Sequence, residues 1–306
     1  MDNILCSIII PHHNLVSLLK RCLDSIPDRC DFEVIVVDDN SNSESISKLK
    51  LLDIHKNVNI IYTHEGKGAG YARNVGIERA KGKWVLFCDS DDFFTFEMPS
   101  LVEEYGKSNY DVIFFGFKTV DSETLESMPS RVIGSDKAFK KSDVEYFKYR
   151  FHGPWAKLVK KSLIDKYQIR CDEVICSNDT FLAGMIGYYG HECIVDQRLI
   201  YVTTVRQGSL VHSMNEYSLL TRIDVSLRYN RFLRKIKKNK YRINMISLFA
   251  YLHAINKHKF NKFIIAYLKE ESVNNILHDL KKSIFGFWNQ KIHKKSNMRK
   301  QIKVIK

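Results

Sequence analysis

The 306-residue chain contains no run of about 18 uncharged apolar residues, which argues against a membrane-spanning helix. Its start, Met1-Asp2-Asn3 ahead of a short apolar run, lacks the positive charge and small-residue cleavage site of a signal peptide. Its seven cysteines (6, 22, 30, 88, 171, 176 and 193) are odd in number, scattered, and form no CxxC pair. Neither a disulfide framework nor a zinc site is indicated, and a reducing cytoplasm is the expected location. Acidic residues are scarce at one end only: residues 228–306 hold 21 Lys and Arg against 3 Asp and Glu, whereas residues 1–227 hold 27 against 32. The +13 average thus hides a slightly acidic body (−5) and a strongly basic last quarter (+18), with the step near Ser226–Arg231. Such a tail implies a polyanionic neighbour, whether acidic lipid, nucleic acid or acidic polymer, or else a solvated basic face.

The length suits one large or two modest domains with a sizeable core. Short β-branched runs at 4–10, 33–37, 58–62, 84–88 and 111–116 alternate with helical patterns at 16–25, 43–52, 70–80 and 98–108. That alternation predicts a βαβ architecture with a mostly parallel sheet and ligands at the carboxyl ends of its strands.

Those ends are polar and largely acidic. The first strand runs into Pro11-His12-His13-Asn14, the second into Asp38-Asp39-Asn40-Ser41, and the fourth into Asp89-Ser90-Asp91-Asp92. Each cluster alone reads equally as turn or helix-cap chemistry. Three carboxylates within four residues repel one another unless a cation or hydrogen-bond donors hold them, and Mg2+ or Mn2+ bridging to substrate phosphates would do so. The glycine-rich segment Gly66-Lys67-Gly68-Ala69-Gly70-Tyr71 lacks the third glycine of a dinucleotide fingerprint and does not follow the first strand. No GxxxxGK[ST] occurs either, which leaves a flexible helix entry or an unusual phosphate contact, with Arg73 one turn inside the helix.

Taken in order, Ile8-Ile9-Ile10-Pro11-x-x-Asn14, Val36-Val37-Asp38-Asp39-x-Ser41, Gly70-x-Ala72-Arg73-Asn74-x-Gly76 and Asp89-Ser90-Asp91-Asp92 resemble the nucleotide-sugar domain of the inverting GT-A glycosyltransferases of family 2. The likeness is close over residues 4–118 and extends to about residue 213. It implies an α/β GT-A fold with a Rossmann-like, mostly parallel sheet, a nucleotide-sugar donor (UDP being the favoured nucleotide), and Mn2+ or Mg2+ at a DxD element. Carried over residue by residue, Asp39 would read the nucleobase beside Pro11 and Asn14. Gly68, Arg73 and Ser90 would line the donor, and Asp89 and Asp91 would hold ribose and metal. Asp92 has no firm role.

An inverting displacement needs a general base at the acceptor hydroxyl. The family supplies it from an acidic pair at the start of a helix, and here Ser177-Asn178-Asp179-Thr180 occupies that place, so Asp179 is the expected base and Asn178 departs from the more frequent acid. Asp179 also reads as an ordinary acid at a helix start. Trp155, in Gly153-Pro154-Trp155-Ala156-Lys157-Leu158, would stack on the acceptor sugar or belong to the core. Arg206 and Ser209 are expected on the donor diphosphate, and His212 in the metal shell.

The expected division is a catalytic domain over residues 1–217 (1–118 for the donor, 119–217 for acceptor and base) and a helical, basic region over 218–306. Phe232, Leu233 and Ile236 recur at helical spacing among cations, and Phe285-Gly286-Phe287-Trp288 precedes further lysines. Such a segment would lie on the anionic inner face of the plasma membrane, with a glycan or lipid-linked acceptor in surface polysaccharide synthesis, or would cap the catalytic domain. Two other classes fit parts of the pattern: a nucleotidyltransferase, for which no glycine-rich activation loop follows the first strand, and a nucleic-acid binder, which leaves the acidic rim unexplained. No nucleic-acid partner is therefore expected.

Overall fold

A computed structural model describes residues 4–52, 57–206 and 215–283. The chain divides into two compact units, Met1–Ser213 and Met214–Lys306.

The first unit opens with β1 (Cys6–His12), α1 (Val16–Asp24), β2 (Phe32–Asp39), α2 (Ser43–Lys50), β3 (Val58–Thr63), α3 (Ala69–Arg79) and β4 (Trp84–Phe87). There follow β5 (Phe93–Phe94), α4 (Met98–Gly106), β6 (Val112–Asp121), β7 (Ser127–Met128), α5 (Ser135–Lys140) and α6 (Val144–Tyr149). The unit closes with β8 (Lys157–Lys160), α7 (Lys161–Lys166), α8 (Thr180–Tyr189) and β9 (Cys193–Val205). The sheet order is β3-β2-β1-β4-β8-β6-β9-β5, with β7 on β6. Strands β1 to β4 are mutually parallel, and all seven residues of β1 are buried, as a strand covered on both faces requires. Chain order reverses between β2 and β4 on either side of β1, the place where an open α/β sheet forms a crevice.

The series expected from the sequence is broken once. Strand β6 does not neighbour β4; β8 lies between them, antiparallel to both, pairing Val85 with Val159 and Phe114 with Lys157. Only Leu158 and Val159 give β8 an apolar signal, and lysines flank them, so its periodicity is too short to read. Strand β9 runs parallel to β6 with a register shift around Gly116, where a side chain would meet the Gln197 carbonyl at 2.4 Å. All seven cysteines are free thiols.

The second unit contains α9 (Glu216–Lys235), a short 3-10 turn (Asn239–Tyr241), α10 (Ile246–Ile255), α11 (Lys257–Glu270) and a helix over 273–283. Leu219, Ile223, Leu227, Met245, Phe249, Leu252 and Tyr267 form its own core. Both the expected division at 217/218 and the charge step near Ser226–Arg231 fall inside α9. One continuous helix, capped by the Asn215 side chain on the Ser218 amide, carries the chain through both. The charge step therefore marks a change of surface composition, not a break in the chain. Among the described residues no helix is long and apolar enough to cross a membrane.

Candidate active site

The carboxyl ends of β1 and β2 are tied together by side chains. Asp38 accepts from Nδ1 of His12 (2.7 Å) and from the Ser41 hydroxyl (2.6 Å), while the Leu15 amide donates to Nε2 of His12 (3.1 Å). That last bond puts the ring proton on Nδ1, so His12 braces Asp38. Burial raises the Asp38 carboxyl, but His12 and Ser41 outweigh it and hold the pKa below the ordinary range. Pro11 sits in β1 opposite Val37. Asn14 adopts a left-handed backbone (φ 56°), takes the Ser41 hydroxyl as acceptor for its amide (2.8 Å) and receives the Asn42 amide on Oδ1 (2.9 Å). Asp39 is buried, accepting from the Thr63 hydroxyl (3.0 Å) and from the Gly68 amide (2.5 Å). Gly68 has φ +91°, so the approach of its N–H to Asp39 depends on a glycine conformation.

Helix α3 explains the motif from Gly70 to Gly76. A side chain at Gly76 would meet Ile9 Cγ2 at 2.3 Å, and one at Gly70 would meet the Asp172 carbonyl at 2.1 Å. Asn74 bonds both the carbonyl (3.1 Å) and the amide (2.8 Å) of Cys171. The helix is thus wedged between the first strand and the 171–178 segment that leads to Asp179. Arg73, 5% exposed, gives one guanidinium nitrogen to Asn178 Oδ1 (2.9 Å) and the other to Asp89 (2.5 Å). It joins the end of β4 to the start of α8.

Beyond β4, the three acids have separate fates. Asp91 meets Nε of Arg206 at 3.2 Å, just past the end of β9. Burial and then Asp89 raise its carboxyl pKa, against the pull of Arg206. Ser90 is buried. Asp92, 2% exposed, accepts from the Tyr201 hydroxyl (2.9 Å) and the Thr204 amide (2.7 Å). The same hydroxyl accepts from the Asp89 amide (3.0 Å), so Asp92 and Tyr201 bolt this turn to β9. Arg21 adds a bond to the Asp91 carbonyl (2.7 Å).

Asp179 stands at the N-terminus of α8 without using its side chain as a cap. Burial raises its carboxyl pKa; Arg73 and Lys157 oppose this and Asp89 reinforces it. Lys157, fully buried, donates to the Phe151 carbonyl (2.7 Å), and burial lowers its pKa to about 7 while Asp179 pulls the other way. Trp155 is 8% exposed, stacked on Tyr201 with ring centres 5.1 Å apart and edge-on to Phe117 and Phe151. Of its two readings from sequence, core packing is the one this environment fits. Ser209 and His212 lie outside the described residues.

Among the described residues no three His, Cys, Asp or Glu side chains group into a metal cluster. Asp89 and Asp91 offer carboxylate oxygens, each paired with an arginine, Arg73 and Arg206 respectively. Such a pair fits a cation that completes its shell with substrate phosphates and water.

A family profile described as Glycosyl transferase family 2 matches residues 7–168, more than half of the chain. The chain belongs to glycosyl transferase family 2. Over 136 residues it is 32% identical to an uncharacterized glycosyltransferase of Mycoplasma genitalium, covering 40% of this chain and 45% of that one. It is 32% identical over 167 residues to the poly(ribitol-phosphate) beta-glucosyltransferase of Bacillus spizizenii, covering 47% and 26%. The chain spans between about a quarter and a half of the length of the first curated relatives it matches. In fold it is similar to S. aureus TarS 1-349 in complex with UDP-GlcNAc (TM-score 0.64, 18% identity, 92% of each chain). It also resembles the mannosyltransferase PcManGT of Pyrobaculum calidifontis in complex with GDP-Man and Mn2+ (TM-score 0.53, 16% identity, 92% of this chain and 80% of that one). The architecture is the GT-A type of this family.

Sequence reasoning missed Tyr201, Thr63 and Arg21, whose roles depend on partners 24 to 112 residues away in the chain. Lys157 had no expected role; a lysine between Trp155 and the apolar pair Leu158-Val159 was the faint signal of its burial.

Proposed function

We propose that this family 2 chain is an inverting glycosyltransferase that moves a sugar from a nucleoside-diphosphate donor, a UDP-sugar, to a hydroxyl of a glycan or lipid-linked acceptor. The observation that carries the reading is the span of Arg73 from Asp89 at the strand end to Asn178, the residue before Asp179, which sets a donor-side carboxylate and a candidate base on one arginine. Solved relatives in fold carry UDP-GlcNAc or GDP-Man with Mn2+, which favours such donors.

In this mechanism Asp39, Gly68, Pro11 and Asn14 border the nucleoside, and Asp89 and Asp91 would hold Mn2+ or Mg2+. Once bound, that cation would supply positive charge for the diphosphate. Asp179 takes the proton of the acceptor hydroxyl while the hydroxyl oxygen bonds the anomeric carbon and the bond from that carbon to the phosphate oxygen breaks on the opposite face. Its raised pKa makes it a better proton acceptor than an exposed aspartate. Arg206, with Ser209 beyond it, meets the charge on the departing nucleoside diphosphate. The basic C-terminal region keeps the enzyme at an anionic membrane surface on the cytoplasmic side.

The test is nucleoside diphosphate release from UDP-sugars with Mn2+ and acceptor. Asp179→Asn should lower turnover by roughly 100-fold or more with donor affinity nearly unchanged. A parallel loss of donor affinity would remove Asp179 as the base. Release of pyrophosphate in place of UDP would identify a nucleotidyltransferase instead.

A further inference from the structure

The Arg73 guanidinium is buried on all sides, and its Nε has no hydrogen-bond partner. Its two terminal nitrogens go to acceptors of different charge: the Asp89 carboxylate and the Asn178 amide oxygen. Asn178, 8% exposed, is fixed for this by its own bonds. Its Nδ2 donates to the Val174 carbonyl (3.3 Å) and its backbone oxygen accepts from the Asp172 amide (2.9 Å), so Oδ1 is the atom left to face Arg73. An amide oxygen satisfies the geometry of a guanidinium without neutralising it. Asp89 is therefore the carboxylate that Arg73 is hydrogen-bonded to, and Asp179 feels the same charge only through space.

We propose that Asn178 tunes the cation site at a distance: by engaging Arg73 through a neutral acceptor it leaves Asp89 as the carboxylate bonded to the guanidinium, and so holds divalent-cation affinity below what the carboxylates alone would give. A weakened site lets the ion arrive with the diphosphate and depart with it, since phosphate oxygens must then supply part of the binding. Asn178 is a positioning residue in this scheme; it touches neither substrate nor ion. The inference rests on the glycosyltransferase reading only for the identity of the ion.

The experiment is Mn2+ binding to the full chain without donor, read by the electron paramagnetic resonance signal of free Mn2+. Asn178→Asp puts a carboxylate where the amide stood, pairs it with Arg73, and should tighten Mn2+ binding by roughly 10- to 100-fold, the scale of one charge about 10 Å from a divalent ion at an effective protein dielectric of about 20 or somewhat above. Arg73→Gln removes the charge from the other side and should tighten it similarly, which keeps the test open if one variant folds poorly. Asn178→Ala removes the acceptor without adding charge and should leave the affinity at or below that of the unaltered protein. Looser or equal Mn2+ binding in both Asn178→Asp and Arg73→Gln, with the unaltered chain binding normally, overturns the inference and leaves the function standing. No Mn2+ binding by the unaltered chain, alone or with UDP, overturns the metal-dependent reading and this inference with it.

Discussion

Lys157 is a buried amine whose protonation the fold disfavours. Its ammonium lies over the Phe151 ring (4.3 Å) and makes a hydrogen bond to the Phe151 carbonyl. Burial brings its pKa from 10.5 to about 7. Below pH 7 both folded and unfolded chains carry this proton, and the cost of burying the charge is present in full. Between pH 7 and 10.5 the unfolded chain binds more protons than the folded one, so stability rises with pH, by at most about 1.4 kcal/mol per unit from this group. Lys157→Met removes that contribution. In urea unfolding the variant should exceed the unaltered protein most at pH 6.5, and the gap should shrink by pH 9; a gap independent of pH would show that the charge is not the cause. The sequence shows only that Lys157 follows Trp155 by two residues; its burial and its lowered pKa depend on Phe151 and the packing around it. Asp39, Asp89 and Asp91 stood out as acids that end apolar runs, whereas Asp179 stood out only because its place resembles that of the family's base; the roles of all four belong to the proposal.

At the scale of elements, local periodicity identified β1 to β4 and α1 to α4 to within a few residues, while β8 and the bolt between β4 and β9 stayed hidden. Periodicity reports burial within one segment, whereas β8 is specified by the neighbours it separates and Tyr201 by a hydroxyl that meets Asp92 and the Asp89 amide. The segment Gly66 to Gly70 reads from sequence as a flexible helix entry or a phosphate contact, yet Gly70 is a point of contact with the backbone at Asp172, as Gly76, one of the motif glycines, is with Ile9. The bolt gives a direct prediction. Tyr201→Phe keeps the ring stacked on Trp155 but leaves the buried Asp92 one donor short and the Asp89 amide without its acceptor. Burial and the neighbouring Asp89 and Asp91 already raise the Asp92 carboxyl well above the ordinary range. Loss of the hydroxyl should cost about 1–3 kcal/mol, seen as a lower urea midpoint with unchanged slope. An unchanged midpoint would mean that the bond does not hold the turn.

For the whole molecule the governing fact is the uneven charge. The three acids of residues 228–306 are spent internally: Glu270 pairs with Arg231 (2.7 Å), Glu271 with Arg234 (2.6 Å) and Asp279 with Arg242 (3.0 Å), where the Tyr267 hydroxyl also donates to Asp279. Glu271 and Asp279 are buried, so they stabilise the second unit without offsetting the lysines at its surface. Helix α11 meanwhile exposes Ile265 and Leu268, and the helix over 273–283 exposes Leu277 and Leu280, each pair at a three-residue spacing that sets apolar side chains near one another. Unbalanced cations beside exposed apolar side chains favour an anionic lipid surface over a soluble polyanion, which would use the charge alone. The full chain should therefore sediment with vesicles containing a third phosphatidylglycerol and stay in solution with pure phosphatidylcholine. Raising salt from 0.1 to 0.5 M should weaken the association, because the screening length falls from about 10 Å to roughly half that. Leu268→Ser together with Leu277→Ser should reduce it further at either salt. Sedimentation that the double substitution leaves untouched would mean that charge alone drives binding, and equal partition to both vesicle types would remove the membrane from the proposal.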